Sequence, residues 1–377
     1  MNQRAYPTAG IAAERVQSHF LERHQVEQAR RTKDLATVPD SAAIEALVDC
    51  AFWASLRHEE RFPPRVSLGF LSAAQARVPL TFERPLPLTP EVLTRLAPAV
   101  ERPGIHLGVW RDDNEFYIWG ATRTLPALCF VLEVFDPGLL VIKRRRAQET
   151  GKFVNVAVLQ GDRIKVVDNH ALSLSDSPLI VAALLGLDSP PSSVDFVDAL
   201  IQLSVSMRAH GRGGSVLIVP HGTQAWRESI IGPTQYSVLP PYSELGSLVF
   251  QPHEESVQWS EKLRRSVDLI AGLTAVDGAM VLTDRCDVLA FGAKIGRREG
   301  YPQIENVIDA EPVEGSDARA VHPSQLGGTR HLSAAQFSQD QIDSVALVAS
   351  QDGGFTVFAW SAVKNAVHAY RVEALLL

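Results

Sequence analysis

Two short runs near the C-terminus hold the residues best suited to chemistry. In Ala275–Leu282, Asp277 precedes Gly278, Ala279 and an apolar run. Its carboxylate is a hard oxygen ligand of the kind Mg²⁺ or Mn²⁺ prefers. In Gly327–Ala334, two glycines precede Thr329, Arg330 and His331. Gly327 and Gly328 would let backbone approach a phosphate closely, while the next three side chains offer donors to its oxygens. A metal-binding carboxylate and a phosphate cradle are together what a nucleotide site needs. Each run also has a plainer reading: Asp277-Gly278 as a turn, and Gly-Thr-Arg-His as a polar loop leading into a strand over Asp343–Ala349.

The order of these runs resembles the diadenylate cyclase (DAC) domain, a family that joins two ATP molecules into cyclic di-AMP. The resemblance reaches upstream to Phe196–Pro220, which is similar to that domain's helix and first core strand, and so covers roughly the last 180 residues. It implies a central mixed sheet flanked by helices. It assigns Asp277 to metal binding or to activation of a ribose hydroxyl, and Gly328, Thr329, Arg330 and His331 to the phosphates. Gly278, Ala279, Phe291 and Ser350 fall at nucleotide-contacting positions, with Phe291–Ile295 where the family cups adenine, and Asp352 stands as a second metal carboxylate. The implied cofactor is Mg²⁺ or Mn²⁺, held only with a nucleotide.

Three departures shift what the resemblance implies. Leu332 stands where the family's second run ends in arginine, Ser350-Gln351-Asp352 replaces Ser-Glu-Glu, and the interval between the runs is long. Such changes resemble the divergent, sensor-like DAC proteins (DACNV-type), which bind nucleotides rather than make them. The implied function is a nucleotide-binding sensor. The alternatives are an active diadenylate cyclase, which is a nucleotidyltransferase, and an interaction protein with a vestigial site.

Composition bounds the rest. With 377 residues, 46% hydrophobic and 21% charged, the chain has material for two globular domains. A net charge of −7 argues against a general nucleic-acid binder, but not against a nucleotide held by local arginines. Cys50, Cys129 and Cys286 are too scattered for a zinc or disulfide framework, which suits a reducing cytoplasm. No apolar run approaches the roughly 18 residues of a membrane span, and the N-terminus lacks a signal-peptide core. The expected partners are a nucleotide or cyclic dinucleotide and a second copy of the chain, with neither membrane nor nucleic acid.

The elements that must position these residues read as an α+β chain in three parts: a helical arm over 1–40, a β-rich α+β domain over 41–187 and a DAC-like domain over 188–377. The arm's sparse apolar positions (Val16, Phe20, Leu21, Val26) predict an exposed helix. Ser41 is a candidate N-cap for the next helix, and Thr89 for another near Pro90. Short alternating runs from Val66 to Val167 predict strands, with a hairpin turning at Asp112-Asp113-Asn114. Trp110, Phe116, Tyr117 and Trp119 suit either a core or an aromatic face. Lys143–Arg146, the most basic run, suits a solvated loop or a phosphate contact. The Pro- and Ser-rich stretch 187–195 reads as the linker. Beyond it, Arg208, His210 and Arg212 flank a glycine turn that could face a phosphate or simply cap a helix. A helix over Ser260–Leu273 delivers Asp277, Tyr236 could cover a base or a sheet edge, and a short helical tail ends the chain.

Overall fold

The computed structural model describes residues 5–58, 63–113, 115–147, 152–168, 177–185, 187, 193–251 and 257–377. The fold is α+β, with two mixed sheets in two units, Met1–Val167 and Asp168–Leu377. The division falls before the anticipated boundary at 187/188, because the helix Leu179–Leu184 packs on the second unit's first long helix. Most of the anticipated linker and Asn114 of the hairpin turn lie outside the described residues.

The first unit contains α1 (Pro7–Ala29), α2 (Ser41–Ser55), β1 (Val66–Phe70), β2 (Leu80–Pro87), α3 (Pro90–Val100), β3 (His106–Asp112), β4 (Glu115–Thr122), β5 (Phe130–Asp136), β6 (Leu139–Arg145), β7 (Phe153–Gln160) and β8 (Arg163–Val166). The strands order as β2-β4-β3-β1-β5-β6-β7-β8, with β1 and β3 parallel. Instead of projecting as an arm, α1 is packed into the core. Its alanines Ala9, Ala12 and Ala13 allow close approach, so Val16 and Phe20 are enough apolar bulk, while Leu21 and Val26 stay exposed. The three helices share one core with the strands' inward residues. Ile118 belongs to that core, whereas its neighbour Trp119 joins a smaller cluster with Leu71 and Cys129, as the two-residue period of a strand requires. Trp119 donates its indole N–H to the Leu71 carbonyl at 2.7 Å, and Trp110 packs on Phe70, so these aromatics fill cores.

Asp40, not Ser41, caps α2. Its Oδ1 accepts the Ala43 N–H at 2.9 Å while Oδ2 takes Arg111 Nη1 at 2.5 Å. Partial burial pushes the Asp40 carboxyl up, but the Ala43 N–H and Arg111 outweigh it and hold the carboxyl below its ordinary value. Asp40→Ala is therefore expected to cost about 1 kcal/mol in urea unfolding near neutral pH. A carboxyl whose folded pKa is depressed contributes stability above its unfolded pKa and loses it as pH falls through the folded one. The gap between wild type and variant should thus close in acid.

The second unit contains α4 (Leu179–Leu184), α5 (Val194–Ala209), β9 (Gly214–Val219), β10 (Tyr236–Tyr242), α6 (Glu244–Phe250), α7 (Val257–Leu273), β11 (Ala279–Thr283), β12 (Val288–Ala293), β13 (Val307–Ala310), β14 (Arg319–Val321), α8 (Thr329–Asp340), β15 (Val345–Ala349), β16 (Phe355–Ser361) and β17 (Ala366–Arg371). The sheet order is β10-β12-β11-β9-β15-β16-β17-β13-β14, with β9 parallel to β11 and antiparallel to β15. Helix α8 packs on β15, β16 and β17, whereas α5 and α7 pack on each other. Strands β9 and β11 are buried at every position, which accounts for their unbroken apolar runs. The chain ends in β17 and a short 3₁₀ turn, Glu373–Leu375, rather than in a helical tail. Among the described residues no helix is long and apolar enough to cross a membrane.

Candidate site at one end of the second sheet

Register brings four strand ends together. Ala279 at the start of β11 pairs with Ser215 of β9 and with Ala293 at the end of β12. Gly214 at the start of β9 pairs with Ala349 at the end of β15. The residues just beyond those ends therefore share one edge: Asp277 and Gly278, Lys294, Gly213, and Ser350. Helix α7 and the turn after it, closed by backbone bonds from Thr274, Ala275 and Val276, deliver Asp277 there.

Asp277 is almost fully exposed and is paired with Lys294 Nζ. The Lys294 hydrogen bond and charge hold its carboxyl below the ordinary range, against a small opposing effect of burial, and the charge of Arg330 adds to the lowering. That contribution places Arg330 in the electrostatic neighbourhood of Asp277. A Cβ added at Gly213, where φ is +70°, would lie 2.8 Å from Arg330 Nη1, so the guanidinium lies directly over a glycine that leaves room for it. Among the described residues Arg330 forms no ion pair.

The Thr-Arg-His run opens α8 and is not a loop. Gly328 is the N-cap, and His331, Ala334, Ala335 and Ser338 form one buried face at helical spacing. The first backbone N–H groups inside the helix, those of Thr329 and Arg330, have no carbonyl partner within it. Thr329 and Gly328 are exposed, whereas His331 is buried, with Nε2 3.4 Å from Thr356 Oγ1. Burial pushes the imidazole pKa down; Asp352 opposes this, and Arg330 adds to it. His331 thus sits beneath the helix start, while Thr329 and Arg330 are its accessible members. Leu332, where a third basic residue was anticipated, packs against the unit's core.

The aromatic wall lies on the other flank. Phe291 of β12 stacks on Tyr236 of β10, with centroids 4.8 Å apart and planes 14° from parallel. Tyr236 also lies over Gly292, where a Cβ would come within 2.9 Å of its ring. Ala279 is buried as the first residue of β11. Asp352 is turned back on its own loop, accepting from Ser350 Oγ and the Gly354 N–H, and these bonds hold its carboxyl low. Among the described residues no group of three or more His, Cys, Asp or Glu converges as a metal site. Upstream, Arg208 is committed to the Gly353 and Leu376 carbonyls, each at 3.0 Å, and His210 to Thr274 Oγ1 at 3.1 Å, while Arg212 stays exposed.

Lys294 did not stand out in the sequence, whereas Gly213 belongs to the glycine turn already read there as a possible phosphate contact. The β11–β12 hairpin shifts register twice between its turn and the Ala279–Ala293 pair, so the turn alone does not reveal what Lys294 faces. The Gly211-Arg212-Gly213 turn leads directly into β9. This edge of the α+β unit gathers one acid, one lysine and one arginine with a stacked aromatic pair. In the other unit, residues 33–123 match the family described as a probable sensor domain, DACNV. The match supports a sensor role for the chain, and it lies wholly within the first unit, outside the edge just described.

Proposed function

We propose that the second unit binds a nucleotide or cyclic dinucleotide at this edge, and that the chain is a sensor that does not turn ATP over. The observation carrying this reading is the convergence of Asp277, Lys294 and Arg330 beside the Tyr236–Phe291 pair. Arg330 and the first N–H groups of α8 would hold a phosphate, since both the guanidinium and a helix N-terminus favour negative charge. The aromatic pair offers a face to a base. Asp277, backed by Lys294, suits a divalent ion shared with nucleotide oxygens, because Mg²⁺ commonly takes only one or two carboxylates plus phosphates and water. Such an ion would neutralise phosphate charge.

A second reading, diadenylate cyclase, draws on the same depressed Asp277 carboxyl and on Thr329-Arg330. It needs two sites facing each other, and therefore a second copy of the chain. The inward packing of Leu332 leaves one cation fewer for a developing negative charge, and losing one such donor commonly costs about 10²–10³ in rate. That favours binding over turnover.

Incubation with ATP and Mn²⁺ followed by product separation, alongside thermal shift with ATP, GTP and cyclic di-AMP, tests both readings. We expect a raised melting temperature with at least one of these ligands, and no cyclic di-AMP. Product formation would overturn the sensor reading, and three flat thermal-shift curves would overturn nucleotide binding. Asp277→Asn is expected to abolish any Mg²⁺ dependence of binding while leaving the melting temperature of the free protein unchanged, because the ion pair it breaks is solvent-exposed.

A further inference from the structure

The first unit contains a cavity of about 680 Å³, far from neutral in its lining. Lys33, Arg77, Arg123 and Arg145 all line it, against one acid, Asp34, among the described lining residues. Two segments build one wall: Asp34 and Ala36 exchange backbone bonds with Ala127, at 3.1 and 2.8 Å. Strand β6 contributes Arg145. Its neighbour Arg144 turns the other way and is buried close to Glu27 and Arg23 of α1. The basic run is therefore split between two faces of one strand rather than spread along a solvated loop.

We infer that this cavity binds a phosphorylated small molecule bearing a planar ring, the mononucleotide class being the simplest. Charge is the first ground. None of the four cations forms an ion pair among the described residues, although Lys143, Arg111 and Arg57 of the same unit all find carboxylates. Arg145 is half-buried, so burial already disfavours its charge, and the like charge of the exposed Arg77 acts on it as well. In a chain of net charge −7 such a cluster is not a bulk property; it is a local field, and an anion relieves it.

The second ground is the rest of the lining. Phe153 and Leu125 supply apolar surface, and the buried His106, its Nδ1 2.7 Å from Ser67 Oγ, sits with its ring 5.8 Å from that of Phe153. Guanidinium groups suit phosphate oxygens through bidentate bonds, and flat apolar walls suit a ring. The volume falls within the roughly 300–1,000 Å³ usual for small-molecule sites. Lys33, Arg77 and Arg123 lie within the residues that match the probable sensor domain, 33–123, whereas Arg145 and Phe153 lie beyond them.

The test is calorimetric titration of AMP into the full chain carrying Arg330→Ala, so that the second unit's proposed phosphate contact is removed. We expect saturable binding, weakened at least tenfold by the further change Arg77→Gln/Arg145→Gln and weakened by added salt, with adenosine showing no binding. The ligand-free Arg77→Gln/Arg145→Gln protein should melt no lower than its parent, because like-charge repulsion is relieved. Should that pair disturb folding, Lys33→Gln/Arg123→Gln, at two exposed positions, is expected to weaken AMP in the same way. Absence of saturable AMP binding, or binding indifferent to both charge-removing pairs, overturns the inference. Both charge-removing pairs lie in the first unit, so their effect on AMP separates this cavity from the second-unit site, which the Arg330→Ala background weakens.

Discussion

Arg330→Ala is expected to weaken nucleotide binding by the second unit roughly tenfold to a hundredfold, as loss of a charged hydrogen-bond donor of about 1.5–3 kcal/mol requires. Stability should scarcely change. Arg330 forms no ion pair among the described residues, and its guanidinium lies over Gly213 without engaging a carboxylate. This separation of affinity from stability is the mark of a side chain held for a ligand. Arg330→Lys should recover only part of the loss, because an ammonium keeps the charge but not the planar fork. Titration of ATP with Mg²⁺ into wild type and both variants, beside urea unfolding of each, reads the two quantities separately.

Gly278→Ala should produce the largest loss of stability, about 2–4 kcal/mol, and abolish binding with it. Gly278 has a φ of +116°, and a Cβ there would sit 2.4 Å from the Gly292 carbonyl carbon. The obstacle is backbone, so no side chain can swing aside; β11 and β12 would have to part at the end where Asp277 meets Lys294. Gly211→Ala is the control. Its φ is +65° but nothing lies within 4 Å of the added carbon, so only the conformational term of about 1–2 kcal/mol remains. Urea denaturation of the two variants should show the difference.

Much of this architecture was legible in residue pattern, and the failures have physical causes. The strands of the first unit announced themselves by alternation, and β9 and β11 by apolar runs closed by glycine or aspartate. The first helix did not, because alanines hide an apolar stripe that only tertiary contact reveals: Ala9, Ala12 and Ala13 carry little hydrophobic signal, yet all are buried. Helix α8 was masked by its polar buried face, where His331, Gln336, Ser338 and Asp340 occupy positions that a hydrophobic period would fill. Gln336 Nε2 reaches Asp340 Oδ1 at 2.8 Å and the Pro302 carbonyl at 3.1 Å, so the polar groups there are satisfied internally. The long interval between the two runs supplies β13 and β14, and β13 pairs in parallel with β17 across some sixty residues, a non-local contact no window of sequence contains.

The candidate site divides in the same way. Residue type singled out Asp277 and Arg330, the family resemblance added Phe291, and all three flank one edge. Lys294 escaped because its importance comes from cross-strand register and not from any motif. The cationic cavity escaped for a similar reason: Lys33, Arg77, Arg123 and Arg145 are scattered through more than a hundred residues and meet only through the folding of a sheet.

Hydrogen–deuterium exchange on the full chain, with and without ATP and Mg²⁺, tests the central claim most directly. Protection confined within the second unit to the peptides containing Gly278–Ala279, Phe291–Lys294 and Gly328–Leu332 is the predicted result. If ATP is bound but leaves those three segments exchanging as in the free protein, the account of that edge as the nucleotide site is contradicted.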